Sequence, residues 1–176
     1  MSHDDASLSH IDDQGGVRMV DVGSKPDSAR LAVAMATVRL SRQTFALLQD
    51  RALPKGDVLT TAQVAGIQAA KQTAQLIPMC HPLPLTQVDV RFHLRPELAS
   101  IQVEATAATS AATGVEMEAL VAVQIAALTI YDMCKAVQKD IVISETRLVY
   151  KSGGRSGTYD VRDRSFSQPG PEDAAE

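Results

Sequence analysis

Tryptophan is missing from this 176-residue sequence, and aromatic residues of every kind make up only 3%. Little is left from which to build the stacking platforms that hold single-stranded nucleic acid. No run of Lys and Arg reaches the density of a duplex-binding patch, so nucleic acid is a poor candidate partner. There are two cysteines, Cys80 and Cys134, without the even, spaced set of a disulfide framework. The first 13 residues have no basic start and no apolar stretch of the kind a secretion signal needs. Together these absences give the expectation of a reducing, cytoplasmic setting. The most membrane-like stretch, Ala119 to Val137, is interrupted by Gln124, Asp132 and Lys135. Two ionisable groups in so short a span are costly in lipid but can pair in a soluble core, so a buried helix is expected and no membrane.

Net charge is also small in the middle of the chain. The formal net charge is −4, yet the first 13 residues carry four Asp with no Lys or Arg, and the last 15 carry two Arg against four acids, which leaves residues 14–161 at +2. The body is therefore mildly basic and its ends acidic. Hydrophobic residues make up 45%, enough for one core in a chain of this length. The expected organisation is a flexible acidic tail over 1–13, one domain over 14–161, and a flexible tail over 162–176 that contains Pro169, Gly170 and Pro171.

Within that domain, the nearly continuous apolar run Arg30 to Leu40 predicts a strand buried on both faces. Ser41 stands where an N-cap would precede a short helix to about Asp50. Pro54 and Gly56 mark a turn, and Asp57 to Leu76 has helical periodicity ending before Pro78. Gly66 in its middle is worth up to about 1 kcal/mol less than Ala to a helix, which implies a close packing partner. Gln87 to Leu94 and Ile101 to Thr106 alternate with a period of two around a turn at Pro96 to Leu98, which predicts a hairpin. A long helix follows over about Val115 to Gln138, and then a last strand over Ile141 to Tyr150. The order matches the β-α-β-β-α-β ferredoxin-like arrangement with one extra helix: an α+β fold whose antiparallel sheet is covered by helices on one face.

Candidate chemistry concentrates on the long helix. At about 100° per residue, Gln124, Tyr131, Asp132, Lys135, Gln138 and Lys139 fall in a stripe about 120° wide. The ordinary account is a solvent face carrying an i, i+3 ion pair worth a few tenths of a kcal/mol. The sharper account is a general acid and base: Tyr131, Met133 and Cys134 suggest partial desolvation of Asp132 and Lys135, which would draw their pKa values together and allow proton exchange near neutral pH. Glu116 and Glu118 suit the positive end of the helix dipole, or they could hold the amidine-like edge of a purine or pterin base. Glu118 and Asp132 are fourteen residues apart, about 21 Å at 1.5 Å per residue. One small ligand can scarcely reach both on one helix, so a shared site would be assembled from two subunits.

Arg30, Lys55, Lys139, Lys151 and Arg155 lie beside glycines or element ends. Lys151-Ser-Gly-Gly-Arg-Ser-Gly157 lets backbone amides approach phosphate oxygens but lacks the spacing of a Walker loop. Lys55-Gly-Asp57 precedes a helix N-terminus, which attracts anions. Several such bends favour a polyphosphate ligand. In Met79-Cys-His-Pro82, Cys80 is read as a small packed hydrophobe and His81 as presented to a ligand, and no metal site is read because third and fourth ligands are not evident.

The segments Met19-Val-Asp-Val22, Lys55-Gly-Asp-Val58, Ala65-Gly-Ile-Gln-Ala-Ala-Lys71, Leu76-Ile-Pro-Met-Cys-His-Pro-Leu83, Thr113-Gly-Val-Glu-Met-Glu-Ala-Leu120, Ala127-Leu-Thr-Ile-Tyr-Asp-Met-Cys-Lys-Ala136 and Lys151-Ser-Gly-Gly154 resemble, in order, the motif series of the cyclic pyranopterin monophosphate synthase (MoaC) family. The resemblance runs from about Leu8 to Val161. It implies a ferredoxin-like lyase of molybdenum cofactor (molybdopterin) biosynthesis that rearranges 3′,8-cyclo-7,8-dihydro-GTP to cyclic pyranopterin monophosphate and releases pyrophosphate. It further implies a homohexamer, a trimer of dimers, with active sites at subunit interfaces, and a transient contact with the upstream radical S-adenosylmethionine enzyme. Asp132 and Lys135 match the family's catalytic aspartate and lysine. Met79, Cys80, His81, Met117 and Glu118 match its substrate-binding segments, and Arg30, Lys55, Glu116 and Lys151 match further pocket residues. No cofactor is implied as required, although magnesium could accompany the triphosphate. The competing expectation is a nucleotide-binding sensor or scaffold of the same fold without turnover.

Overall fold

The computed structural model describes residues 15–155 and 157–162. The tail expected over 1–13 and all but the first residue of that expected over 162–176 lie outside the described residues. The elements run β1 (Ser28–Arg39), α1 (Arg42–Gln49), α2 (Val58–Lys71), α3 (Thr73–Leu76), β2 (Leu85–Arg95), β3 (Ser100–Ala111), α4 (Glu116–Cys134), β4 (Val142–Ser152) and β5 (Tyr159–Asp160). They form one sheet in the order β2-β3-β1-β4-β5, with every neighbouring pair antiparallel. Its first four strands and the helices between them give the ferredoxin-like α+β arrangement expected, with α1 added after β1.

The alternation of β1 decides which face is covered. Ala32, Ala34, Ala36 and Val38 point to the helices and are buried, as are Ile101, Val103, Ala105 and Ala107 opposite them on β3. Alanine on the sheet lets α4 approach closely, and its own Ala119, Ala122, Val123, Ala126, Ala127 and Ile130 complete the core. On the opposite face only one end of the strand is enclosed. Val33 packs there with Val149 and Val161, and Leu31 and Met35 lie against them, whereas Arg39 at the other end is exposed. Burial on both faces therefore holds for part of β1 only. β5 had no counterpart among the expected strands, and at two residues it has no alternation to read.

Helix starts follow their caps. Thr44 N donates to the Ser41 hydroxyl (3.1 Å), and Thr60 N donates to the Asp57 carboxylate (3.0 Å), which that bond holds below the ordinary aspartate range. The helix expected to run unbroken to Leu76 is divided at Gln72, and the buried Thr73 hydroxyl donates back to the Ala70 carbonyl (3.0 Å). α4 ends at Cys134 rather than near Gln138, with Lys135 as its C-cap. Gly66 explains itself. α2 packs on α4 so tightly that a β-carbon at Gly66 would lie 2.9 Å from the Ala122 carbonyl oxygen and 3.1 Å from Val90 Cγ2. The segment with membrane-like composition is the central core helix.

Candidate functional site

A cleft of about 340 Å³ opens at the N-terminal end of α4. Three segments wall it: Val20, Val22 and Lys25 from the strap before β1, Met79 to His81 and Leu83 from the loop after α3, and Thr113, Gly114, Glu116, Met117 and Glu118 from around the start of α4. Ile77 and Pro78 end the helical run, and Cys80 N donates to the Ile77 carbonyl (3.1 Å), so the Met-Cys-His segment turns across the cleft mouth. His81 Nε2 lies 2.9 Å from the Val20 carbonyl, so in that bond this nitrogen is the donor and the strap is tied to the loop. Glu118 is 4% exposed, and burial pushes its carboxyl above the ordinary glutamate range. Burial first, and then the Glu118 charge, push the half-buried Cys80 thiol up, which keeps it a thiol at neutral pH and disfavours a nucleophilic role. Cys134, fully buried in the core, is pushed up to about 11 by the same desolvation.

Glu116 connects the cleft to the basic strand ends. Lys151 Nζ on β4 donates to Glu116 Oε1 at 3.0 Å, with both side chains largely shielded. Arg30 on β1 donates from Nε to the Ala111 carbonyl and from Nη2 to the Ala112 carbonyl, each at 3.2 Å. Its guanidinium thereby clasps the junction between β3 and α4. The structure thus brings Met79, Cys80, His81, Glu116, Met117 and Glu118 into one cleft, with Lys151 and Arg30 bracing it from behind.

Asp132, Lys135 and Lys55 form a second constellation at the other end of α4. Lys135 Nζ is 2.7 Å from Asp132 Oδ1, and Lys55 Nζ is 2.7 Å from Asp132 Oδ2 and 2.9 Å from the Asp132 carbonyl. The expected desolvation is not what this chain provides. The Asp132 and Lys135 side chains are 52% and 53% exposed, because the helix register turns Met133 and Cys134 inward and these two outward. The hydrogen bond from Lys135 and then that from Lys55 hold the Asp132 carboxyl down at about 2, and the bond to Asp132 pushes the Lys135 ammonium up. The two pKa values are driven apart, not together. Here Asp132 is a carboxylate that accepts hydrogen bonds from two ammonium groups, those of Lys135 and Lys55.

The sign of the resulting pH dependence follows from a depressed acid. The clamp on Asp132 stabilises the fold fully above pH about 4 and is lost as pH falls towards about 2. In Lys55→Met the Asp132 carboxyl is expected to titrate closer to the ordinary aspartate value, read by carboxyl-carbon NMR. An unchanged midpoint would mean that Lys55 does not engage Asp132 in solution.

Fourteen residues of helix separate Glu118 from Asp132, about 21 Å along the axis at 1.5 Å per residue. The two constellations of one chain therefore do not close on one small ligand. Sequence reasoning quoted Met19 to Val22 as a motif but gave the strap no site role and missed Lys25, because the strap has no periodicity to betray a buried face. Among the described residues, no three His, Cys, Asp or Glu side chains gather as a metal site would require.

A family model described as the MoaC family matches residues 19–154. Proteins named cyclic pyranopterin monophosphate synthase are similar along nearly their whole length. That of Nitratidesulfovibrio vulgaris is 61% identical over 154 residues, covering 88% of this chain and 96% of its own. That of Bordetella avium is 55% identical over 159 residues, covering 90% and 98%, and that of a Nostoc species is 56% identical over 154 residues, covering 88% and 92%. The span of the family match takes in every residue of both constellations, from Val20 to Lys151, and on that ground the chain belongs to the MoaC family.

Proposed function

We propose that this chain is a lyase of molybdenum cofactor biosynthesis that converts 3′,8-cyclo-7,8-dihydro-GTP to cyclic pyranopterin monophosphate and pyrophosphate. The observation that carries the reading is the pairing of two unlike constellations along a family match of this depth: a buried carboxyl cleft suited to a base edge, and an exposed Lys-Asp-Lys clamp suited to proton transfer and phosphate charge. In the cleft, the N–H donors of a guanine-type edge would lower the cost of ionising Glu118, whose carboxyl burial holds above the ordinary glutamate range. Glu116 is set beside it by Lys151.

Closing the cyclic phosphate forms a bond from a substrate hydroxyl oxygen to the α-phosphorus as the bond to pyrophosphate breaks. The proton of that hydroxyl must leave and the negative charge on the departing oxygens must be met. Lys55 and Lys151 are assigned to the phosphates. Lys135 supplies protons during opening of the five-membered purine ring, and Asp132 receives protons once substrate phosphates draw Lys55 away from it. Magnesium would arrive, if at all, with the triphosphate as part of the substrate.

The incomplete reach of one chain supports sites built between copies, and the hexameric trimer of dimers is the assembly we assign. A groove of about 380 Å³ between α3 and α4, lined by Leu76, Ile77, Leu120, Val121 and Ile125, together with the exposed Leu128, supports a covering copy there. Two sites per pair follow from two-fold symmetry. The cysteine content supports a reducing cytoplasm, where an unstable intermediate could be taken directly from the radical S-adenosylmethionine enzyme that makes it. The test is mass spectrometry of purified protein mixed with the cyclised GTP intermediate. Cyclic pyranopterin monophosphate with equimolar pyrophosphate is expected, and bound but unconverted intermediate would point to a sensor instead.

A further inference from the structure

Two glycines follow β4, both with left-handed backbones, Gly153 at φ 97° and Gly154 at φ 76°. Their surroundings differ. A β-carbon on Gly153 would run into the Ala29 carbonyl oxygen, which is backbone and cannot yield. A β-carbon on Gly154 would instead occupy the place of Arg30 Nη1, the far end of a flexible side chain. A side chain at Gly154, besides straining the left-handed backbone, would therefore displace the guanidinium and not main chain. Arg30, as described, grips the Ala111 and Ala112 carbonyls at the end of β3, four residues before Glu116.

We propose that Gly154 is a positioning residue: its missing side chain keeps open the bay in which Arg30 lies, and Arg30 in turn fixes the junction that aims Glu116 and Glu118 into the cleft. Arg30 is then a strut in this chain, with Nε and Nη2 committed to main-chain carbonyls. The inference rests on the proposed function for what the cleft binds. Because Glu116 and Glu118 are assigned to the base and not to the reacting bonds, loosening them weakens substrate and transition state alike, which raises KM and spares kcat.

Gly157 provides a comparison in the same loop. It too has a positive φ, 66°, but nothing lies within 4 Å of a β-carbon there. Gly157→Ala thus reads the backbone strain of a methyl group without the clash. Hydrogen exchange of the ligand-free protein, followed by mass spectrometry, is expected to show faster exchange over residues 111–118 in Gly154→Ala and no change there in Gly157→Ala. With the cyclised GTP intermediate, Gly154→Ala is expected to raise KM about tenfold with kcat within about threefold of wild type. Arg30→Met keeps the aliphatic stem and removes the guanidinium; in that background Gly154→Ala should cost no more than Gly157→Ala does. Unchanged exchange over 111–118 in Gly154→Ala, or losses that multiply in full in the double variant, would overturn the proposal. A wild-type protein that makes no product would defeat the functional reading alone, and the exchange comparison would still decide this one.

Discussion

Lys135→Ala is expected to cut product formation by between about a hundredfold and ten-thousandfold, the range typical of a lost general acid or base, while the protein folds normally. Lys135 is the C-cap of α4 and its side chain is half in solvent, so its removal opens no cavity and leaves no buried group without a partner. Its pair with Asp132 is of the exposed kind that contributes little to stability. Asp132 also keeps Lys55 at 2.7 Å, so the carboxylate stays ionised and in place. What disappears is the ammonium alone. Mass-spectrometric product detection, with thermal melting on the same sample, checks this. Near-wild-type turnover would remove Lys135 from the chemistry.

Gly66→Ala is expected to destabilise the fold by about 2 kcal/mol or more, even though alanine is the better helix former by up to about 1 kcal/mol. The added carbon would sit 2.9 Å from the Ala122 carbonyl, 3.1 Å from Val90 Cγ2 and 3.2 Å from Ala126 Cβ. Two of these belong to α4 and one to β2, so relief requires moving a whole helix off the sheet. In a domain of this size the loss corresponds to a melting temperature lower by about 5 °C or more. A melting temperature at or above that of wild type would mean that α2 and α4 are not packed this closely in solution. Because α4 carries both constellations, the same substitution should also disturb activity.

The need for a neighbour at Gly66 was legible in the sequence because glycine in a helix demands a reason that only packing supplies. The hairpin, the two N-caps at Ser41 and Asp57 and the central helix were legible on equally local grounds: alternation, a capping side chain, an apolar run. What could not be read locally involved distant partners. Lys55 reaches Asp132 across 77 residues of sequence and adds, after the hydrogen bond from Lys135, the second largest contribution that holds the Asp132 carboxyl down. Tyr131 Oη donates to the Lys139 carbonyl (2.9 Å) and Ser41 N to Gln138 Oε1 (2.8 Å), so residues whose spacing suited another helical turn instead tie down a loop. Glu116, Glu118 and His81 were candidates from their own positions, but that they share a cleft with Met79, Cys80 and Met117 came only through motif resemblance, since nothing in the periodicity of Met79 to His81 reveals it.

The central claim is that Glu116 and Glu118 of one copy work with Asp132 and Lys135 of another. Mixing two inactive variants tests it most directly. Glu118→Gln spoils the cleft and Lys135→Ala spoils the clamp, and with substrate kept far below the raised KM of Glu118→Gln each alone should make almost no product. If sites are shared across a two-fold pair, a mixed pair has one site with both defects and one with neither, so random reassortment of equal amounts restores about a quarter of wild-type activity. Recovery near that level after co-expression or co-refolding is the predicted result. No recovery, with mixed assemblies shown by native mass spectrometry to have formed, would place each site within a single chain and contradict the account.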